Sequence, residues 1–285
     1  MDKLIKIKSL KRNKLNTIVR FVKYCFIVFL FIVITVIIRV FIVEIYNVPT
    51  LSMGKTIKPG DYILVNKLQY RSVFPIKGEV SWFGIFGRKD KGLNVKKRRF
   101  KYNEYTERGD IICFYLKETS DILLVKRCIG VPGDSIQFGK ERIIINNKNY
   151  SIGFDDNKLQ DYTIVKRPLP EEYIRMGKVV IPKQNLEVKL NLLNYTFYAH
   201  LIKKYEDDCI TIKNQCIYIN NKRSDKYIFK HNYYFVMGDN RALSIDSRHF
   251  GPIPQSAIIG AATHVLFSWS KNNPFFISRI FKKIQ

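Results

Sequence analysis

The sequence predicts a mainly β protein carried on one N-terminal membrane-spanning helix, and three observations predict it. A single apolar run, YCFIVFLFIVITVIIRVFIV from Tyr24 to Val43, has the length that a bilayer core of about 20 helical residues requires. Beyond it, short runs rich in Ile, Val, Tyr and Phe alternate with Gly, Asp, Asn and Pro, the texture of short strands joined by turns. Long amphipathic helical patterns are scarce, although Leu186 to Lys204 can hold one, and no fixed repeat appears.

The anchor comes first along the chain. Only Arg39 interrupts the apolar run, one turn from its outer end, where its stem can lie along apolar neighbours while the guanidinium reaches the headgroups. A cleavable signal peptide is a poorer reading, because its apolar stretch spans only about 7–15 residues and no Ala-x-Ala site follows here. Lys3, Lys6, Lys8, Lys11, Arg12, Lys14, Arg20 and Lys23 precede the run against Asp2 alone, which places residues 1–23 in the cytoplasm and everything from Glu44 onward outside. The expected division is a basic segment 1–23, an anchor 24–43, an antiparallel sheet-like or barrel-like β domain over 44–147 and 216–285, and an inserted smaller cap over 148–215 of unassigned role.

The 285 residues carry 49 Lys and Arg against 24 Asp and Glu, a formal charge of +25, which draws the chain to anionic surfaces. The outward orientation selects lipid and exported chains over nucleic acid, and no DNA-binding motif is visible. Cys25, Cys113, Cys128, Cys209 and Cys216 show no CxxC pairing, so no zinc site or disulfide scaffold is expected. Cys209 and Cys216 are near enough in sequence for a bridge, and two reduced thiols explain them equally well.

Several β runs can be placed: YILVNK, DIICFYL, DILLVKRCI, RIIINNK, ITIKN, CIYINNK, YYFVMG and AIIGAATHVLFSW. Between Arg71 and Arg108, SWFGIFG and KKRRFK combine an aromatic wedge with a basic run, suiting either a bilayer surface or an exposed β-ribbon. The C-terminal FFISRIFKK, Phe275 to Lys283, reads as membrane-facing or as a solvated terminal element. The segment from Lys148 to Gln215 is polar and lysine-rich, and is expected to decorate the rim of the β domain.

Three segments carry the chemistry. In VPTLSMGKTIKPGDYILV, Val48 to Val65, Ser52 sits in a loop shaped by Pro49 and Pro59, a few residues beyond the membrane. In ILLVKRCIGVPGD, Ile122 to Asp134, a strand runs into a Pro-Gly-Asp turn. Alternation there puts Lys126 on a face with Leu124 and Cys128 and turns Arg127 away. A buried lysine loses hydration, and its pKa falls from about 10.4 toward the range a general base needs. In YYFVMGDNRALSIDSRHFGPIP, Tyr233 to Pro254, a dense polar loop lies between a hydrophobic strand and a Gly-Pro turn.

These blocks together resemble the bacterial type I signal peptidase family, in which a serine nucleophile is paired with a lysine base. The likeness covers the anchor, Val48 to Asp61, the RGD at Arg108 to Asp110, the strand through Lys126 to Pro132-Gly133-Asp134, and GDNR at Gly238 to Arg241 with SIDSRHFGPIP after it, all in the family's order. The resemblance implies a membrane-bound endopeptidase that removes signal peptides from exported preproteins, cutting after small residues at the first and third positions before the scissile bond. It implies Ser52 as nucleophile, Lys126 as general base, Ser244 as the hydroxyl that orients the lysine, and Thr50 with the Ser52 N–H as the oxyanion hole. Asp239 and Asn240 of GDNR, the pair Asp239 and Arg127, and the pair Asp246 and Arg248 are implied supports. Val48, Met53, Ile57, Leu124, Val125 and Val236 are implied pocket residues.

The expected partners are preprotein signal peptides, the lipid bilayer and the secretion translocon, with no metal, cofactor or nucleic acid, and the expected site is the cytoplasmic membrane. This chain departs from the family pattern at Thr50, where serine is commoner, at Leu51, where glycine is common, and at Gly54-Lys55, which replaces a pair ending in proline. A threonine hydroxyl can still donate. Of the histidines only His249, near Asp246, invites a Ser-His-Asp reading; no serine elbow accompanies it, and it is expected to be structural. A catalytically silent, membrane-anchored binding protein on the same scaffold is the alternative, and the joint presence of Ser52, Lys126 and Ser244 argues against it.

Overall fold

The computed structural model describes residues 2–70, 106–116, 122–139, 142–151, 171–269 and 277–284. The chain opens with helix α1 (Asp2–Phe41). Its stretch Ile18–Arg39 is the one helix among the described residues long and apolar enough to cross a membrane. The anchor expected to run to Val43 ends two residues earlier, because Val43 is already the first residue of strand β1 (Val43–Asn47), where its branched side chain suits a ladder better than a helical turn. Arg39 therefore closes the span instead of standing a turn inside it.

The principal sheet takes up the run-and-turn pattern of the sequence. It contains β1, β2 (Asp61–Asn66), β3 (Ile111–Tyr115) and β4 (Leu123–Gly130). A run of smaller elements follows: β5 (Ser135–Phe138), β6 (Arg142–Ile145), β7 (Lys148–Ser151), helix α2 (Glu171–Arg175), β8 (Lys178–Val180), β9 (Glu187–Lys189), helix α3 (Tyr195–Tyr205), β10 (Ile210–Lys213), β11 (Cys216–Ile219), β12 (Lys222–Arg223) and β13 (Lys226–Ile228). The chain then returns to the principal sheet with β14 (Tyr233–Met237), the short helix α4 (Ser247–Phe250), β15 (Ile253–Pro254), β16 (Ile258–Ser268) and β17 (Lys282–Lys283). The order across the sheet is β1-β2-β16-β3-β4-β14-β15, with β17 on β16, and every pairing is antiparallel.

Alternation along β3 shows how the sheet is buried on both faces. Ile111 and Cys113 join one apolar cluster with Ile63, Val65, Val125, Ala262 and Val265. Ile112 and Phe114 join another with Cys128, Tyr234, Val236 and Ile253. Each fully buried Ile, Val or Phe contributes about 1.5–3 kcal/mol relative to its exposed state, so both faces hold the sheet in register.

The inserted segment is more than a rim decoration. Tyr173, Val179, Phe197, Tyr198, Leu201, Ile202 and Ile210 are buried in a third cluster together with Ile136, Phe138, Phe229, Tyr233 and Phe235. Strand pairing draws its limits differently from 148–215: β5 pairs with β8, β10 with β11, and β9 with β13, so residues on both sides of those limits build the second lobe. The helix anticipated within Leu186 to Lys204 is α3, shorter and shifted toward its C-terminal side. Register also answers the thiol question. Lys213 faces Cys216, and Asn220 N–H donates to the Cys209 carbonyl, so the two cysteines sit at opposite ends of one hairpin, farther apart than disulfide geometry permits, and neither is bridged. The aromatic and basic stretch at 71–105 lies outside the described residues, as do Phe275 and Phe276.

Candidate active site

Ser52 occupies a short 3-10 turn, Leu51–Met53, in the loop between β1 and β2. The loop is tied to the start of β2 at its base, where Val48 N–H donates to Asp61 O and Gly60 N–H to Val48 O. Met53 and Ile57, both fully buried, pin it into the cluster on that face of the sheet, and the Thr56 and Ile57 N–H groups both donate to Met53 O. A further restraint comes from the distant GDNR block, whose Asn240 N–H donates to Ser52 O at 3.1 Å. Ser52 is left only 8% exposed.

Lys126, on β4, is 3% exposed, and its Nζ lies 2.8 Å from Ser52 Oγ. Burial lowers its pKa from the ordinary 10.5 to about 8, against the opposing pull of Asp246, Cys113 and Asp239. The amine also donates to Val125 O at 2.9 Å. Ser244 is buried close by, but its hydroxyl has no hydrogen-bond partner among the described residues. The bond from Ser244 to the lysine implied by the resemblance is thus not formed here, the amine turning to the Val125 carbonyl instead. Thr50 Oγ1 stands 3.3 Å from Ser52 Oγ on the exposed side of the loop.

Both expected charged pairs are present. Arg127 binds Asp239 through Nε and Nη2 at 2.8 and 2.7 Å, and Thr56 Oγ1 donates to the same carboxylate. Burial raises the Asp239 pKa, but hydrogen bonds from Arg127 and Thr56 outweigh it and hold the carboxyl below its ordinary value. Arg248 binds Asp246 through Nε and Nη2 at 2.8 and 2.9 Å and spans to the carbonyls of Arg241 and Ser244. Asp246 also accepts from the Gly238 and Arg248 N–H groups, so one buried carboxylate gathers the polar loop around itself. His249 has a capping role: its Nδ1 accepts from Asp246 N–H at the start of α4.

The expected pocket residues divide. Val48, Met53, Ile57 and Val125 come together in one cluster, with Tyr46 and Leu123 partly buried against it. Val236 is fully buried in the cluster on the other face of the sheet, and Leu124 packs there too. The alternation of β4 puts Leu124 and Cys128 on the face opposite Val125, and Val236 shares that face because it pairs with Cys128.

Other supports escaped sequence reasoning. Arg108 of the RGD block binds Asp134 of the Pro-Gly-Asp turn at 2.7 Å and donates to Ile129 O, fixing the far end of β4. Gly133, with φ of 93°, supplies the turn conformation that a side chain would oppose. Arg279, near the C-terminus, forms a buried ion pair with Asp61 and donates to Thr56 O, bracing the Ser52 loop from behind. The only available signal was an Asp at a strand start and an Arg among apolar residues, which names no partner.

A hydroxyl held against a buried, easily deprotonated amine on a β scaffold is the equipment of a serine-type hydrolase. Residues 18–268 match the family model described as signal peptidase, peptidase S26, and the chain belongs to that family. A signal peptidase I from Rickettsia conorii is 30% identical over 249 residues, covering 86% of this chain and 80% of the relative. Another, from Buchnera aphidicola subsp. Baizongia pistaciae, is 29% identical over 241 residues, covering 81% and 71%. The solved structure of a signal peptidase I from Enterococcus faecalis V583 aligns with 56% of this chain and 98% of its own, at 20% identity and a TM-score of 0.30. The protein is a membrane-anchored serine endopeptidase that removes signal peptides.

Proposed function

We propose that Ser52 is the nucleophile and Lys126 the general base, and that the 2.8 Å approach of a buried amine to a serine hydroxyl carries the assignment. In its neutral form Lys126 accepts the Ser52 proton as Oγ attacks the scissile carbonyl of the preprotein. The proton passes to the departing amine as the C–N bond breaks, leaving an ester on Ser52 and releasing the mature chain. Lys126 then takes a proton from water, whose oxygen attacks the ester, and returns it to Ser52 as the signal peptide departs. Charge on the carbonyl oxygen is met by the Ser52 N–H and the Thr50 hydroxyl, and removing one such donor costs about 2.7–4 kcal/mol.

The substrate enters as an extended strand. Among the described residues β4 pairs with β14 only from Arg127 onward, which leaves an open edge along Leu123–Lys126 beside Ser52, suited to backbone pairing with a peptide. Val48, Met53, Ile57 and Val125 pack as one apolar cluster beside that edge, and we assign them to the wall that the substrate's side chains meet. Small side chains at the first and third positions before the cut fit it, and larger ones are rejected by overlap. The buried Ser244 hydroxyl, without a hydrogen-bond partner among the described residues, is the group we assign to orient the amine when substrate arrives.

The excess of basic residues before the span supports a cytoplasmic N-terminus, with the β domain on the outer side of the cytoplasmic membrane. The lipid bilayer is a partner of the β domain as well: Ile45, Trp269, Ile277 and Phe281 stand 52, 66, 78 and 70% exposed on its surface. The secretion translocon, which delivers the substrate, is the expected neighbour. Ser52→Ala abolishes processing of a model preprotein in detergent while the fold persists; undiminished cleavage by that variant refutes the assignment.

A further inference from the structure

The anchor and the catalytic sheet are joined without a linker. Helix α1 ends at Phe41 and β1 starts at Val43, and Ile42 N–H still donates to Ile38 O as the last turn of the helix. The chain then runs into five consecutive pairs with β2, from Val43↔Asn66 to Asn47↔Tyr62.

Lys67 locks this joint from the other strand. Its N–H donates to Ile42 O at 2.9 Å, extending the β1–β2 ladder by one rung into the helix terminus. Its Nζ donates to Arg39 O at 3.5 Å, a long contact with a helix-end carbonyl, and pairs with Glu44 at 2.5 Å. The lysine side chain is only 12% exposed and the glutamate 24%, so the ion pair is sheltered from the screening that weakens surface pairs. From this joint the ladder runs to Asn47, the loop bonds at Val48 and Gly60 carry it one residue further, and the Asn240 N–H holds the Ser52 carbonyl at the other end of the loop.

We infer that Lys67 is a positioning residue that makes the anchor and the β1–β2 hairpin a rigid ruler, setting the height of Ser52 above the bilayer and thereby which bond of a membrane-held signal peptide is cut. The inference rests on the membrane-bound endopeptidase reading. A signal peptide held by its own apolar segment presents its cleavage site at a set distance from the bilayer. A serine carried on a rigid post meets one bond, whereas a serine on a loose tether meets several. β1 covers roughly 17 Å at about 3.4 Å per residue, so slack in the joint moves the serine by distances comparable to a residue spacing.

The test uses the full chain reconstituted in lipid vesicles, with a Lys67→Met variant and a second variant carrying Gly-Ser-Gly between Ile42 and Val43. Each is assayed on a short soluble peptide and on a preprotein set in which the spacer between apolar segment and cleavage site is lengthened residue by residue. The ruler account expects soluble-peptide cleavage unchanged, cleavage of the natural-spacing preprotein reduced about tenfold, as for a misplaced reacting group, and a broadened range of accepted spacers. Parallel loss on peptide and preprotein assigns Lys67 to fold stability alone and overturns the proposal, as does an unaltered spacer profile in both variants. Failure of the parent to cleave either substrate instead refutes the endopeptidase reading beneath it.

Discussion

Arg127 and Asp239 are joined by two parallel hydrogen bonds, one residue along β4 from Lys126 and one residue before Asn240, whose N–H holds the Ser52 carbonyl. The ion pair therefore registers the base against the nucleophile, as a clasp between the strand and the polar loop. Asp239→Asn keeps the shape and removes the charge, leaving a half-buried guanidinium without its counter-ion. Expected outcomes are a loss of about 3 kcal/mol in urea unfolding and a fall in kcat of about 10–100-fold. Because the Asp239 carboxyl is held below its ordinary pKa, its contribution to stability is full above the usual carboxylate range and is lost as pH falls through the depressed value. The parent thus loses more stability than the variant on acidification, which paired unfolding curves at acid and neutral pH measure.

The pH dependence of catalysis follows from Lys126. With its pKa lowered to about 8, the amine is mostly protonated and idle at pH 6 and mostly neutral at pH 9, so kcat/KM rises through an ascending limb near pH 8. Lys126→Arg leaves a permanent cation against Ser52 and is expected to be inactive across that range. A flat profile from about pH 5 to 10 for the parent contradicts the base assignment.

Gly238 is a close-packed position rather than a flexible one. A Cβ there falls 2.5 Å from the Ser52 carbonyl oxygen and meets the Ser244 side chain, while Gly238 N–H is held by Asp246 at 3.0 Å. Gly238→Ala must push the Ser52 turn away from Lys126. We expect about 1–3 kcal/mol of destabilisation and an activity loss of about 100-fold, checked by thermal unfolding and peptide cleavage.

The ion pair of Asp61 with Arg279 closes the loop from the C-terminal side. Asp61 is fully buried and also accepts from Lys58 N–H at 2.8 Å. Arg279→Met strands that carboxylate and is expected to cost about 3–5 kcal/mol, whereas the double variant Asp61→Asn, Arg279→Met recovers much of the loss. Additive losses in the double-mutant cycle contradict a direct coupling.

Much of this was legible in the sequence because it rests on local chemistry. The anchor announces itself by length and apolarity, the strands by alternation and turn residues, and the turn after β4 by its Pro132-Gly133-Asp134 residues. Ser52, Lys126 and the charged pairs were found through family blocks, since no spacing on its own joins residues from three distant segments. What stayed hidden depends on tertiary packing. Val236 and Leu124 fall on the opposite side of the sheet from Val48 and Val125 because strand neighbours alternate, and the family blocks carry no facing information. The second lobe looked polar because its buried residues, such as Phe197, Tyr198 and Leu201 on α3, are interleaved with exposed polar ones, such as Thr196, His200 and Lys203. Lys67 and Arg279 each look like an ordinary basic residue until the chain folds back on itself.

Catalysis turns on the protonation state of one amine, and titration of the Lys126 side chain by 13C NMR reads it directly. The parent in detergent, labelled at lysine Cε and assigned by the signal missing in Lys126→Arg, is followed across the alkaline range. A midpoint near 8 for Lys126 is the expected result, and a midpoint at the ordinary 10.5 would contradict it.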